Sequence, residues 1–514
     1  MRHVVIVGAG MAGHRVADEV RARRPGWRIT LVGAEPHRPY NRVLLTNLLA
    51  GRATEDSVEL PRQDEGTAVV TGVRVTAVDR AARTVTTDDG RVTGYDTLVL
   101  ATGGVAWLPP VKGLVGDSGR PHPGTAAFRT LADCRRILGL AEAAVASAPS
   151  GRSPRALVLG GGLLGVEAAR GLAQRGLEVR VLHAADRLME RQLDAAAGRV
   201  LGRALDRLGI AVELGAAVTE VTAEDGRLTG VKCADGRNIA GDLLVVSCGA
   251  QPDTRLAEAA GLPVGRGVVV DDRMRTADPH VYAVGDCAEH RGTVHGLVAP
   301  AWEQAAVAAQ AITQDPRGMP YRGSRIVTRL KAAGIDLTAM GETQLTEDDA
   351  YSADEGAPPE VVRFLDTRRG TYQKLILREN RVTGAILIGG STGATAGAGT
   401  VTGLFDRQAE APLDRRLLLF PEFPEPGVAA AGVAPGAAGL PGDAVVCQCN
   451  AVTKDAITRC RRAGAGDVAA VAARTRATTG CGSCRPLVEE LLARPADPAV
   501  PSAEVHGHTH RKEP

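Results

Sequence analysis

The chain has 514 residues, of which 44% are hydrophobic and 23% charged, and its formal net charge is +2. That length exceeds one ordinary domain and predicts three or four, while the near-neutral balance argues against a nucleic-acid partner. A strand-like run begins at Val4, directly after Met1-Arg2-His3, so no signal peptide is expected; no stretch reads as a membrane span, and a cytoplasmic protein with no membrane partner is the expectation. Aromatic residues make up only 3%, so the core must be built from Val, Leu, Ile and Ala.

In chain order, Val4-Val-Ile-Val7 reads as a buried parallel strand. Gly8-Ala-Gly10-Met-Ala-Gly13 follows, then a helical stretch to about Arg24 and a second strand from Ile29 to Val32, ending near Glu35. The pattern returns at Ala156-Leu-Val-Leu159, with Gly160-Gly-Gly162-Leu-Leu-Gly165, a helix to about Arg175 and a strand from Val179 to Leu182. Two such units imply two dinucleotide sites on α/β domains. Segments 84–100 and 227–248 read as strands and hairpins with turns at Asp89-Gly90 and Asp235-Gly236. From Tyr321 to about Gly389 the pattern is mixed α+β, with strands such as Lys374–Leu377 and Ala385–Ile388. Residues 421–443, rich in Pro, Gly and Ala, read as a linker. A cysteine-bearing module, 444–495, and a disordered tail, 496–514, complete the chain.

Each glycine of the first fingerprint has a task. Gly8 permits a tight turn, Gly10 lets the backbone approach a pyrophosphate, and Gly13 lets helix and strand pack closely. The helix N-terminus offers its unpaired N–H groups to phosphate oxygens. Glu35 lies where a carboxylate should accept the adenosine ribose hydroxyls. Gly160, Gly162 and Gly165 repeat the arrangement, but the second strand there ends at His183. An acid at that place favours NAD, and its absence removes a repulsion against a 2′-phosphate. Arg180 and Arg187 lie near in sequence, so NADH and NADPH both stay open; an ordinary surface histidine is the alternative reading of His183.

Nine cysteines are present, and five of them crowd between Cys447 and Cys484. An odd number so distributed points to a metal or cluster site, not to a secreted disulfide framework. Cys447-Gln-Cys449 and Cys481-Gly-Ser-Cys484 supply two close thiolate pairs, which suit either tetrahedral zinc or a 2Fe–2S cluster. Cys460 falls in a helical stretch, Lys454 to Arg462, for which Thr453 is a candidate cap, and reads as a spare thiol. His506, His508 and His510 alternate in the tail and read as a flexible His-rich end.

Residues 1–320 resemble the pyridine-nucleotide-dependent flavoprotein reductases. Besides the two fingerprints, the likeness rests on Leu98-Val-Leu-Ala-Thr-Gly103, Val246-Ser-Cys-Gly-Ala-Gln-Pro-Asp253 and Val281-Tyr-Ala-Val-Gly-Asp286. It implies two glutathione-reductase-like Rossmann domains: an FAD-binding domain from 1–112 and 265–318, and an NAD(P)-binding domain, 153–264. A small α+β domain, 320–410, and a small helical 2Fe–2S domain follow. It also implies flavin contacts at Val73, Thr102, Gly103 and Asp286, and a nicotinamide-domain contact at Gly249. No cysteine precedes Cys134, so the Cys-x4-Cys disulfide of many members is missing, and Cys287 beside Asp286 reads as a structural thiol.

Pro39-Tyr-Asn-Arg-Val-Leu-Leu45 and Leu188-Met-Glu-Arg-Gln-Leu-Asp194 resemble one subgroup, the flavin part of assimilatory nitrite and nitrate reductases. That likeness implies that Arg42 faces the flavin pyrophosphate, that Glu167 is the catalytic carboxylate near the nicotinamide, and that Trp302 lies along the isoalloxazine edge, a core Trp being the alternative. Many related reductases carry a lysine near Asn47, which this chain lacks. Val446-Cys-Gln-Cys-Asn450 and Thr479-Gly-Cys-Gly-Ser-Cys-Arg-Pro486 resemble the bacterioferritin-associated-ferredoxin type of 2Fe–2S domain, which favours the cluster over zinc. FAD, NAD(P)H and 2Fe–2S are therefore the expected cofactors. A separate molybdenum-containing assimilatory nitrate reductase is the expected partner, because no further cysteine cluster follows to hold sirohaem. The flavin half of a split nitrite reductase, or a rubredoxin or ferredoxin reductase, is the alternative within the class. A flavoprotein oxidase with a regulatory or docking metal module is the alternative outside it.

Overall fold

A computed structural model describes residues 2–63, 65–116, 119–148, 151–330, 332–351, 358–389, 397–420, 440–447, 450, 452–479 and 484–493. Cys449, Cys481, most of the expected linker (421–439) and the expected tail lie outside the described residues. The chain divides into two compact units, Met1–Ala434 and Pro435–Pro514.

The larger unit is built on two parallel sheets of five strands each. In the first, the order is Val281–Ala283, Thr97–Leu100, His3–Val7, Arg28–Gly33, Thr67–Thr71. Val5 pairs with Thr30 on one side and Leu98 on the other. The apolar run Val4–Val7 is buried on both faces, as a strand covered by helices must be. In the second sheet the order is Ile210–Glu213, Glu178–Leu182, Arg155–Leu159, Leu243–Val246, Thr125–Ala127. Each sheet carries a three-stranded antiparallel appendage, Val75–Asp79, Thr84–Thr87 and Val92–Gly94 for the first, and Val218–Glu224, Arg227–Cys233 and Asn238–Ala240 for the second. The first sheet is completed only by Val281–Ala283, so the second is inserted into it along the chain.

A third, antiparallel sheet has the order Val327–Leu330, Asp336–Gly341, Arg381–Gly389, Thr371–Arg378, Glu360–Asp366, with the helix Ala398–Arg407 beside it. Its central hairpin turns through Glu379 and Asn380, both in the left-handed region (φ 48° and 60°), which is the backbone a two-residue type I′ turn demands. The strands expected at 374–377 and 385–388 are longer, because the turn between them brings both flanks into register from Arg378 and Arg381 outward. Leu337, Tyr372, Ile386 and Ile388 of this sheet share a core with Val200, Leu201 and Leu205 of the helix Ala195–Arg207.

The smaller unit holds a short antiparallel pair, Val445–Cys447 with Val452–Thr453, and three helices, Lys454–Arg462, Val468–Thr475 and Arg485–Ala493. Thr453 Oγ1 accepts the Ala456 N–H (3.2 Å) and Asp467 Oδ1 accepts the Ala470 N–H (2.7 Å), so two of these helices begin with side-chain caps. No helix among the described residues is long and apolar enough to cross a membrane.

Candidate functional site

In the first glycine loop, two of the three glycines are required by the fold. A Cβ on Gly8 would lie 2.0 Å from Ala101 O, and one on Gly13 2.0 Å from Gly8 O. Gly10 is different: a Cβ there meets nothing within 4 Å. The second loop repeats the contrast, with Gly160 and Gly165 blocked at 2.3 and 1.9 Å by Ser247 O and Gly160 O, and Gly162 facing open space. Gly10 and Gly162 each stand immediately before a helix, Met11–Arg23 and Leu163–Gln174. The protein's own packing therefore gives no reason for glycine at these two places, whereas a pyrophosphate seated on the helix N-terminus does. Both loops fit a dinucleotide.

Around the first loop the structure gathers residues from distant segments. Glu35 accepts a hydrogen bond from Tyr40 Oη (2.7 Å) and pairs with Arg42, while Tyr40 Oη accepts the Leu131 N–H at 2.9 Å. Arg42 Nη1 also donates to Arg129 O at 3.3 Å, and the Arg129 guanidinium pairs with Asp286. Glu35, Arg42, Arg129 and Asp286 thus form a row, two arginines flanked by two carboxylates, between the end of strand Arg28–Gly33 and the turn at Gly285. Burial of Tyr40, with the neighbouring carboxylate, pushes its hydroxyl well above the ordinary range, so it stays a donor. Val73 donates to Gly33 O (3.1 Å) and Thr102 Oγ1 to Asp253 O (2.6 Å), and Gly103 O accepts the Asp253 N–H (2.9 Å). Trp302 is half-buried in the helix Val298–Ile312.

Arg129 was not legible as a site residue. It stands just before the helix cap Thr130, whose capping box with Asp133 is readable, but its contact with Asp286 depends on the fold. Arg52 is a second such case. Its Nη2 donates to Asn47 Oδ1 at 3.0 Å, and Glu167 is the carboxylate that acts on its charge. Burial, and next Arg170, lower the Arg52 pKa, and Glu167 opposes both. Glu167 itself is only 3% exposed. Arg52 thus places a cation five residues beyond Asn47, after the short helix Leu45–Leu49, which meets the helix Leu163–Gln174 at Gly171.

At the second loop, His183 Nδ1 lies 3.1 Å from the Gly161 nitrogen and His183 Nε2 lies 3.0 Å from Glu190 Oε2. Arg180 and Arg187, the cations near in sequence, are engaged elsewhere. Arg180 pairs with Glu213 (2.8 Å), which also holds Arg237. Arg187 bonds Leu193 O, Asp186 and Gln344 Oε1. Gly249 borders the half-buried Cys248, whose thiol is pushed up to about 11 by burial and so stays protonated at neutral pH. Cys287 is fully buried and raised by the same cause, so it offers no thiolate beside Asp286.

In the smaller unit, Cys447 and Cys484 are both buried, at 2% and 3% exposure. Asn450 Nδ2 sits 3.8 Å from Cys447 Sγ and donates to Arg476 O (2.7 Å) and Thr479 Oγ1 (3.2 Å), tying the strand pair to the segment that leads into the second cysteine pair. A buried sulfur with an amide donor aimed at it fits a thiolate ligand, since N–H···S contacts stabilise sulfur's negative charge. Cys460 lies on the helix Lys454–Arg462 and is half-buried.

Comparison with known proteins agrees with this geometry. Residues 2–311 match the pyridine nucleotide-disulphide oxidoreductase family, residues 327–396 the rubredoxin NAD+ reductase C-terminal domain, and residues 445–494 the BFD-like 2Fe-2S binding domain. Among curated proteins the chain is 36% identical over 498 residues to a nitrite reductase (NAD(P)H) of Bacillus subtilis, covering 96% of this chain. It is 33% identical over 500 residues to an assimilatory nitrate reductase electron transfer subunit of the same organism, again covering 96% of this chain. The chain spans 57% and 59% of the lengths of these two relatives. Among solved structures it is similar to a NAD-dependent persulfide reductase from A. fulgidus, with TM-score 0.67 and 26% identity over 80% of this chain and 78% of that one. It is also similar to the putidaredoxin reductase of a covalent complex with putidaredoxin, with TM-score 0.64 and 28% identity over 75% and 89% of the two chains. The chain belongs to the pyridine nucleotide-disulphide oxidoreductase family, as an NAD(P)H-dependent FAD oxidoreductase with a BFD-like 2Fe–2S domain, and is similar along its length to nitrite and nitrate reductase proteins.

Proposed function

We propose that the protein carries electrons from NAD(P)H through FAD and the 2Fe–2S cluster to a separate molybdenum-containing assimilatory nitrate reductase. Bound FAD accepts a hydride's two electrons together and releases them singly, which is what a one-electron cluster requires. The chain's part is to hold and orient. Gly8, Gly10 and Gly13 receive the FAD pyrophosphate, Glu35 its adenosine ribose, and Asp286 its ribityl chain, with Arg42, Val73, Thr102, Gly103 and Trp302 around it. Gly160, Gly162, Gly165, His183 and Gly249 receive the nicotinamide dinucleotide, and Glu167 stands at its reactive end with Arg52 as counter-charge. Cys447, Cys449, Cys481 and Cys484 ligate the cluster.

The observation that carries the reading is the open space at both Gly10 and Gly162, which supports two dinucleotides, one on each of two parallel-sheet folds. The nitrate partner draws its support from the relative named as an electron transfer subunit. A second reading, the flavin part of a nitrite reductase, is favoured by the equally similar relative of that name. The test is to mix the purified protein with NADH and a molybdenum nitrate reductase. Nitrate-dependent NADH oxidation is the expected result, with no nitrite turnover by the protein alone. Conversion of nitrite to ammonium by the single chain would overturn the nitrate reading.

A further inference from the structure

The strand Glu178–Leu182 ends at the place where a carboxylate selects NAD over NADP, yet the residue there is His183. The ring is packed against the glycine loop: an ideal Cβ on Gly161 would lie 2.8 Å from His183 Cγ. The Gly161 N–H can only donate, so His183 Nδ1 accepts (3.1 Å) and the ring's proton must sit on Nε2. Nε2 then donates to Glu190 Oε2 at 3.0 Å. The histidine therefore acts as a fixed bridge from the glycine loop to a carboxylate seven positions later in the chain.

Glu190 is not a loose surface group. Met189, just before it, is 1% exposed and held in the left-handed region (φ 50°), a conformation that a non-glycine residue keeps only where its surroundings enforce it. Its N–H donates to Gly161 O at 3.0 Å, so one glycine of the loop fixes both His183 and the Glu190 segment. Leu188 presses on the same glycine, its Cδ2 2.6 Å from the ideal Cβ. From the antiparallel-sheet domain, Gln344 Nε2 donates to Glu190 O and Leu193 O, each at 3.3 Å. The Glu190 side chain is 37% exposed, so its charge stands at the surface of the loop, and its Oε1 accepts no bond from the described residues. Two nearby cations are engaged elsewhere: Arg180 is paired with Glu213, and Arg187 is filled by Leu193 O, Asp186 and Gln344, which leaves the exposed Arg191 as the cation adjacent in sequence.

We propose that Glu190, presented by His183, is the carboxylate that reads the adenosine ribose of the nicotinamide dinucleotide, and that the protein therefore prefers NADH to NADPH. The inference rests on the reading that the dinucleotide occupies the second glycine loop. A ribose 2′-hydroxyl donates to a carboxylate, whereas a 2′-phosphate is repelled by it. His183 is a positioning residue in this scheme, and Glu190 is the group that discriminates.

The test uses the full-length, flavin-loaded protein. Ferricyanide reduction gives kcat/KM for NADH and NADPH, and calorimetry gives Kd for NAD+ and NADP+. The expected result is a clear NADH preference that Glu190→Gln reduces on the order of tenfold, as removal of one partly screened like charge predicts. Added salt should narrow the preference in the parent and leave Glu190→Gln unaffected. His183→Ala should also narrow it, and the double variant should go no further than Glu190→Gln alone, because both act through one carboxylate. Equal use of both dinucleotides by the parent, or an unchanged ratio in Glu190→Gln, would overturn the proposal. So would NADPH turnover that disappears in Arg191→Ala, which would show this exposed cation receiving the phosphate. Gly162→Val separates the underlying reading: its Cβ enters open space, so a folded variant that still binds both dinucleotides normally would show that the ligand lies elsewhere.

Discussion

Lys374 Nζ lies 2.8 Å from Asp194 Oδ2, and through this pair the antiparallel-sheet domain is fastened to the first turn of the helix Ala195–Arg207. Lys374 is 2% exposed, and Tyr372 Oη donates to the same carboxylate oxygen at 2.6 Å. Burial alone would raise the Asp194 pKa, but the Ala197 N–H, Lys374 and Tyr372 outweigh it and hold the carboxyl below an ordinary 3.8. Lys374→Met should destabilise the larger unit by about 3–5 kcal/mol, the cost of stranding one member of a buried pair. The sign of the pH dependence follows. A depressed folded pKa gives stability that is complete above 3.8 and lost as pH falls through the folded value. Urea unfolding measured down the acid limb should therefore show a shallower pH dependence in Lys374→Met than in the parent, and an identical slope would contradict the assignment.

The glycine loops predict a split between stability and binding. Gly13→Ala and Gly165→Ala place a Cβ about 2 Å from a backbone oxygen and should lower Tm, with a cost of at least about 1–3 kcal/mol. Gly10→Val and Gly162→Val should leave Tm of the ligand-free chain unchanged. The first should weaken FAD retention and the second raise the NAD(P)H KM, each by about tenfold or more, the factor that 1.4 kcal/mol of lost contact produces. Flavin content, melting curves and steady-state kinetics on the four variants decide it.

Much of the local architecture was legible because its grammar is local. A strand, a glycine turn and a helix lie within one short segment, so Gly8 to Gly13 and Gly160 to Gly165 announce themselves, and Thr453 announces a helix start. What stayed hidden depends on segments that meet only in three dimensions. Arg129 reaches Asp286 across 157 positions, and the charge of Glu167 acts on Arg52 from a distant stretch of the chain. The roles of Arg180 and Arg187 were equally beyond sequence, since nearness along the chain says nothing about which carboxylate holds a guanidinium. His183 was visible as a departure, but the partner that gives it meaning, Glu190, is reached through a hydrogen bond and not through a motif.

The cysteine module predicts a sharp pattern. Replacing Cys447, Cys449, Cys481 or Cys484 with Ala should abolish the EPR signal of the reduced cluster, while Cys460→Ala should keep it. Iron content should fall with the signal. A full signal in both Cys449→Ala and Cys481→Ala would sink the ligand assignment.

Removing the smaller unit predicts a division of activities. A chain ending after Phe420 keeps both parallel sheets and the antiparallel sheet, all of which lie within Met1–Ala434. It should fold, retain FAD and reduce ferricyanide with NAD(P)H at a rate within about twofold of the parent, because independent domains contribute additively. Delivery to the proposed nitrate reductase partner should be lost. Loss of dye reduction as well, in a flavin-loaded preparation, would make the cluster module part of the flavin site; retention of partner turnover would deprive the cluster of its relay role.

The insertion of one parallel sheet into another has a bearing on how the protein is made. Strand Thr97–Leu100 cannot gain its outer neighbour until Val281–Ala283 has left the ribosome, and Leu98 pairs with Val281. At roughly 5–20 residues per second, that wait is on the order of ten seconds or more. During it the edge of the first sheet displays the unpaired backbone groups of an apolar strand, a template for pairing with the wrong chain. The intervening sheet can assemble meanwhile, since its five strands all lie between Thr125 and Val246. The nascent chain thus passes through a stage in which the later-encoded domain is whole and the earlier-encoded one is open, and that stage is where a chaperone would find its binding surface.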